Sequence, residues 1–159
     1  MFRAMRRHKQ EMSAERSEAV MKKCTAGTLA VHGDDDYPYS VPVSYCYEEG
    51  KIYFHCAAEG HKLDSIRRNE KVSFSVIETN DIVQEEYTTY FRSVIAFGRA
   101  HVIDDPEEKR ASLEKLALKY SPDYEDGISS EIDKSFDNVR MVRIDVEHMT
   151  GKEAIELVK

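Results

Sequence analysis

The sequence predicts a mainly β fold with inserted helices, a small closed or partly closed antiparallel barrel. Three observations carry this. Segments with period-two apolar alternation recur along the chain. A few stretches with helical periodicity interrupt them, without the strict strand–helix–strand alternation of a doubly wound sheet. Finally, 159 residues without an internal repeat fit one domain, residues 1–159.

The elements follow in order. Ser13 to Lys22 has helix-compatible composition, with Ser13 placed to cap it. From Gly27 the texture becomes β: TLAVH, a turn at Gly33–Asp36, then PYSVPVSYCY, where Val41, Val43, Tyr45 and Tyr47 alternate with Ser40, Pro42, Ser44 and Cys46. Glu48–Gly50 turns this strand back into KIYFHC as a hairpin, with Ile52, Phe54 and Cys56 on one face and Tyr53 and His55 on the other. A helix starts near His61, with Leu63 and Ile66 on one side. VSFSVI is the next strand, ETNDIVQEEYTT reads as a loop, and YFRSVIAFGRAHVI is a long strand whose Gly98 permits a bulge or a close backbone approach. Asp104–Pro106 opens a helix in which Leu113, Leu116, Ala117 and Tyr120 form a core-facing stripe ended by Ser121–Pro122. A short helix over SSEIDKSFDN precedes a strand in which Val142, Ile144 and Val146 alternate with charged residues. The strand count is about six.

The formal charge of −7 argues against nucleic acid as a partner, because phosphate-backbone binding needs a basic face. No apolar run approaches the roughly 18 residues of a membrane span, and the basic N-terminal residues are not followed by the apolar stretch of a secretory signal. A cytoplasmic protein without membrane partners is expected. Cys24, Cys46 and Cys56 are odd in number and lack CxxC spacing, so free thiols are expected, with neither a disulfide framework nor a metal site.

The chemistry concentrates in His55-Cys56-Ala57-Ala58-Glu59-Gly60-His61-Lys62. This stretch leaves a strand, crosses small residues, and enters a helix at a lysine. Free N–H groups at a helix start, the positive end of its dipole and an ammonium all favour a phosphate, and Gly60 lets the backbone approach it. An ordinary strand-to-helix turn with a solvated Lys62 uses the same residues. His55 alternates away from Ile52 and Phe54, so it either faces a ligand as a donor or acid or is a satisfied structural histidine. Cys56 shares the Phe54 face and reads as packing rather than a redox thiol. The carboxylates of Asp34–Asp36 and of Glu85–Glu86 read as solvated loops.

The order of Met5-Arg6-Arg7, Gly27-Thr28-Leu29-Ala30, Pro38-Tyr39-Ser40-Val41-Pro42-Val43, Phe54-His55-Cys56-Ala57 with Gly60 and Lys62, Ser93-Val94-Ile95 with Gly98, and Thr150-Gly151-Lys152 resembles the FMN-binding split barrels related to pyridoxamine-phosphate oxidases. Within that family it is similar to the Nim-type nitroimidazole-resistance proteins. The resemblance implies an FMN whose phosphate is held around His55, Cys56, Gly60, His61 and Lys62, with its ring along Pro42, Val43, Ser44 and Tyr45. It also implies a homodimer with the cofactor at its interface, where Arg92 and Ser93 reach it from the partner chain and Lys152 joins the site. His55 is the candidate catalytic group.

The activity implied is that of an FMN-dependent, nitroreductase-like oxidoreductase passing electrons from reduced flavin to a small electron-poor acceptor. There the cofactor carries the chemistry and the protein supplies pocket and orientation. Two alternatives stand beside it. One is a module that holds flavin, haem or another planar ligand without turnover, with His55 or His61 as an axial ligand. The other is pyridoxamine-phosphate oxidation, disfavoured by the missing arginine- and tryptophan-containing C-terminal portion, since the chain has no Trp.

Overall fold

A computed structural model describes residues 1–159. Its strands are β1 (Glu11–Met12), β2 (Ala26–His32), β3 (Pro38–Ser44), β4 (Cys46–Glu48), β5 (Lys51–Ala57), β6 (Lys71–Val83), β7 (Thr88–Val102) and β8 (Val139–Glu153). Its helices are α1 (Ala14–Lys23), α2 (His61–Arg68), α3 (Pro106–Tyr120) and α4 (Ile128–Ser135). All pairings are antiparallel, in the order β3-β2-β6-β7-β8-β5-β4, with β1 added to β8. The two ends of that order, β3 and β4, are separated in the chain only by Tyr45. The sheet therefore has to curl until its ends meet at one corner, which makes a partly closed barrel.

The barrel fills with the alternate side chains of its strands, among them Leu29, Ile52, Phe54, Phe74, Val94 and Ile144. Val20 and Met21 of α1 and Leu63 and Ile66 of α2 plug its openings. The α1 start is capped as its sequence indicates, with the Ser13 hydroxyl accepting from Arg16 N–H at 3.2 Å. Asp105 caps α3 in the same way. The helices α3 and α4 pack outside the barrel, where Leu113, Leu116, Ile128 and Ile132 form a second cluster with Cys46, Tyr53 and Met141. Gly98 serves both purposes read from it. The β7–β8 register shifts between Phe97 and Gly98, and an added Cβ would collide with the Asp145 carbonyl.

Three expectations change. Eight strands are present rather than six. PYSVPVSYCY is not one strand: Pro38–Ser44 pairs with β2, and only Cys46–Glu48 forms the hairpin with β5. ETNDIVQEEYTT is not a loop, because β6 runs on to Val83, turns at Gln84–Glu86 and returns as β7. Asn80, Asp81 and Ile82 are exposed in that ribbon, so no buried face imposed an apolar period on it. No helix is long and apolar enough to cross a membrane.

Candidate functional site

The last residues of β5 and the first turn of α2 meet at an open corner. Gly60 sets its geometry, with φ 154° and ψ 166°, a conformation essentially reserved for glycine. No atom lies within 4 Å of where a Gly60 Cβ would stand, so the corner opens to solvent. No side chain caps α2, which leaves its first N–H groups pointing outward. Lys62, in that first turn, makes no ion pair within the chain, whereas its helix neighbours His61 and Arg68 both approach Asp34.

His55, on β5 near this corner, is exposed, unlike Phe54 and Cys56 on either side. Protein crowding its other sides desolvates the imidazole. That burial, helped by the positive charge of nearby Lys62, holds its pKa below the usual histidine value. Neutral imidazole therefore predominates at pH 7, one nitrogen donating and the other accepting. His61 is engaged elsewhere: its ring stacks on Tyr39 at 4.1 Å, and its Nε2 lies 3.8 Å from Asp34.

Pro42, Val43 and Ser44 lie on β3, a sheet edge, with Pro42 and Ser44 exposed and Val43 half-buried. Tyr45 does not join them as a ring contact. Its side chain is fully buried, edge-on to Phe74, and its hydroxyl donates to the Met21 carbonyl at 2.7 Å. Its backbone is also occupied. The Tyr120 hydroxyl accepts from Tyr45 N–H at 2.8 Å, and the Lys119 ammonium donates to the Tyr45 carbonyl at 3.0 Å. These two residues from the end of α3 satisfy the groups released where β3 gives way to β4. Neither was singled out for this role by the sequence. Cys56 is 9% exposed in the barrel core, and burial pushes its thiol pKa up, so it is no thiolate nucleophile.

Arg92, Ser93 and Lys152 form a separate group. Ser93 pairs with Lys152 near the end of β8, whereas His55 pairs with Met141 near its start. Within one chain Arg92 is committed to structure. Its Nε donates to Glu153 at 3.1 Å, and Arg16 holds the same carboxylate through two bonds of 2.8 and 2.6 Å. Glu153 is 2% exposed, and these guanidiniums, Arg16 foremost, keep its pKa below the usual carboxylate value. Lys152 places its ammonium 5.5 Å from the Phe91 ring centre.

A cleft of about 900 Å³ continues from Ser44 and His55 to the inner sides of α3 and α4. Leu116, Ala117, Ile128 and Val139 give it apolar walls, with Tyr120 and Asn138 among its polar groups. Its helical wall lies between β7 and β8 in the chain, far in sequence from the motif at His55.

Comparisons with known proteins agree with this architecture. A candidate 5-nitroimidazole antibiotic resistance protein from Bacteroides thetaiotaomicron is 25% identical, with a TM-score of 0.73 over 90% of this chain and 86% of that one. An FAD-binding protein from Mesorhizobium loti is also 25% identical, with a TM-score of 0.62 over 91% and 96% of the two chains. A conserved Mycobacterium tuberculosis protein, 23% identical, shares the fold at a TM-score of 0.81 over 94% and 90%. Among curated proteins none matches the sequence. The family model described as pyridoxamine 5'-phosphate oxidase matches residues 13–153, nearly the whole barrel, and the chain belongs to that family.

Proposed function

We propose that the protein binds FMN at the β5–α2 corner and works as a flavin-dependent oxidoreductase acting on a small electron-poor acceptor. The observation that carries this reading is the donor set at the corner: uncapped N–H groups of α2, a glycine leaving room for an approaching group, and an unpaired Lys62. Such a set suits a phosphate dianion. The stretch Pro42–Ser44 on the barrel edge, with Pro42 and Ser44 exposed, offers backbone groups to the polar rim of a flat heterocycle. The FAD-binding relative supports a flavin as the ligand class.

When bound, the flavin would supply the electron transfer, and the chain's residues would provide the setting. Lys62 and the α2 N-terminus would fix the phosphate end. Ser44 and the β3 edge would orient the ring. Neutral His55 can donate one hydrogen bond and accept another beside it without adding a charge.

A homodimer completes the proposal. Ile77, Ile95 and Phe97 are exposed on the outer face of β6 and β7, an apolar patch that a symmetric partner would cover. A second copy would also bring its own Arg92, Ser93 and Lys152 to the interface. Light scattering of the flavin-loaded protein tests this, and a monodisperse monomer at micromolar concentration would exclude it.

The decisive experiment compares FMN with riboflavin, which lacks the phosphate. Lys62→Ala removes one charge-assisted hydrogen bond, worth about 1.5–3 kcal/mol, so FMN affinity should fall about ten- to a hundredfold. Riboflavin affinity should hardly change. Equal weakening of both, or of neither, would remove Lys62 from the phosphate site. The visible spectrum of the purified protein, with mass identification of what heat releases, separates FMN from FAD and from haem.

A further inference from the structure

The cleft that begins at Ser44 and His55 has a chemistry of its own. Most of its surface is aliphatic, from Leu113, Leu116 and Ala117 of α3, Ile128 and Ile132 of α4, and Val139. Its polar groups are almost all neutral: hydroxyls such as those of Tyr120 and Tyr124, the Asn138 amide, and His55. Neither lysine nor arginine lines it. Its one carboxylate, Glu131, is exposed and lies 3.6 Å from Lys134, so it marks the rim rather than the interior.

A phosphate or carboxylate buried there would be desolvated without a cation to balance it, a cost of several kcal/mol. A neutral molecule with an apolar body and one or two hydrogen-bonding atoms meets no such penalty. The volume, about 900 Å³, suits a ligand of that kind. Ser44 and His55 stand at the junction between this cleft and the edge assigned above to the flavin ring.

From this geometry we infer that the cleft between β5 and the α3–α4 pair is the acceptor pocket, and that it takes neutral, unphosphorylated, largely apolar small molecules. The role as acceptor pocket rests on the flavin reading above; the ligand class rests on the lining alone. The inference separates this chain from the reaction after which its family is described, whose substrate carries a phosphate.

The test uses duroquinone, a neutral and fully substituted quinone, as the probe. Its binding to the full chain, with and without FMN, is followed by quenching of tyrosine emission, which no tryptophan obscures. Two variants fill the cleft: Ala117→Phe on α3, and Ser135→Phe at an α4 position whose exposure leaves the core packing untouched. Wild type should bind duroquinone. Each variant should weaken it at least tenfold while FMN affinity stays within twofold, and pyridoxamine 5'-phosphate should not displace the probe. Absence of duroquinone binding to wild type, unchanged binding in Ser135→Phe, or displacement by pyridoxamine 5'-phosphate would each overturn the assignment. Probe binding with this pattern in a chain that takes up no flavin would sustain the ligand class and refute the flavin reading alone.

Discussion

Two basic regions of this molecule have opposite fates. At the end of β8, Arg16 and Arg92 converge on Glu153, so both guanidiniums meet a carboxylate inside the chain. At the β5–α2 corner, Lys62 and the first N–H groups of α2 meet nothing. A sequence presents both as basic residues near polar neighbours. The difference shows that a cation's value as evidence for a site depends on whether the fold has already neutralised it.

Breaking the internally paired region should have the largest effect. Glu153→Gln strands two guanidiniums beside a neutral amide and should cost about 2–3 kcal/mol, less than the 3–5 kcal/mol of a fully buried pair because Arg16 is half-exposed. Denaturant titration should show this loss with FMN affinity little changed. Acid should mimic the variant. Because Glu153 has a folded-state pKa below its unfolded value, its contribution is present above the unfolded value and lost as pH falls through the folded one. Wild type should therefore lose stability on acidification below about pH 4.5 more steeply than Glu153→Gln.

At the open corner, Gly60→Ala should cost about 1–3 kcal/mol through backbone strain alone, since the new methyl group meets no neighbour. FMN affinity should fall with it. A smaller stability change with unaltered FMN binding would show that the corner relaxes and that its shape is not required. Tyr120→Phe leaves Tyr45 N–H without its acceptor and should cost about 1–2 kcal/mol by thermal or chemical denaturation. The smallest change is also the most specific. In Lys62→Ala the His55 pKa, followed by NMR, should rise while remaining below the usual histidine value, because burial is the larger cause and persists. No movement of that pKa would separate the two side chains.

Elements governed by local chemistry were legible in the sequence. Ser13 announced the start of α1, and the Leu113–Leu116 stripe announced α3 and the face it buries. The strand–glycine–helix spacing brought His55 and Lys62 to one corner. Long-range partners hid the rest. Nothing near Tyr45 reports the strand break, because Tyr45 and Tyr47 continue the apolar alternation and the residues that stabilise the break, Lys119 and Tyr120, come from α3. Tyr53 reads as an outward residue, but α3 and α4 cover its face and bury it. Arg92 reads as an unpaired cation until Glu153, on the neighbouring strand, is seen to accept from it within the chain.

The single residue between β3 and β4 also determines how this sheet can fail. Consecutive Cα atoms stand about 3.8 Å apart, so Ser44 and Cys46 form a seam whose width the covalent chain limits, without a hydrogen-bonded ladder across it. The sheet is a ribbon fastened at one corner. A peptide cut at Tyr45 would free both margins at once, and their unpaired backbone groups would become templates for strands from other molecules.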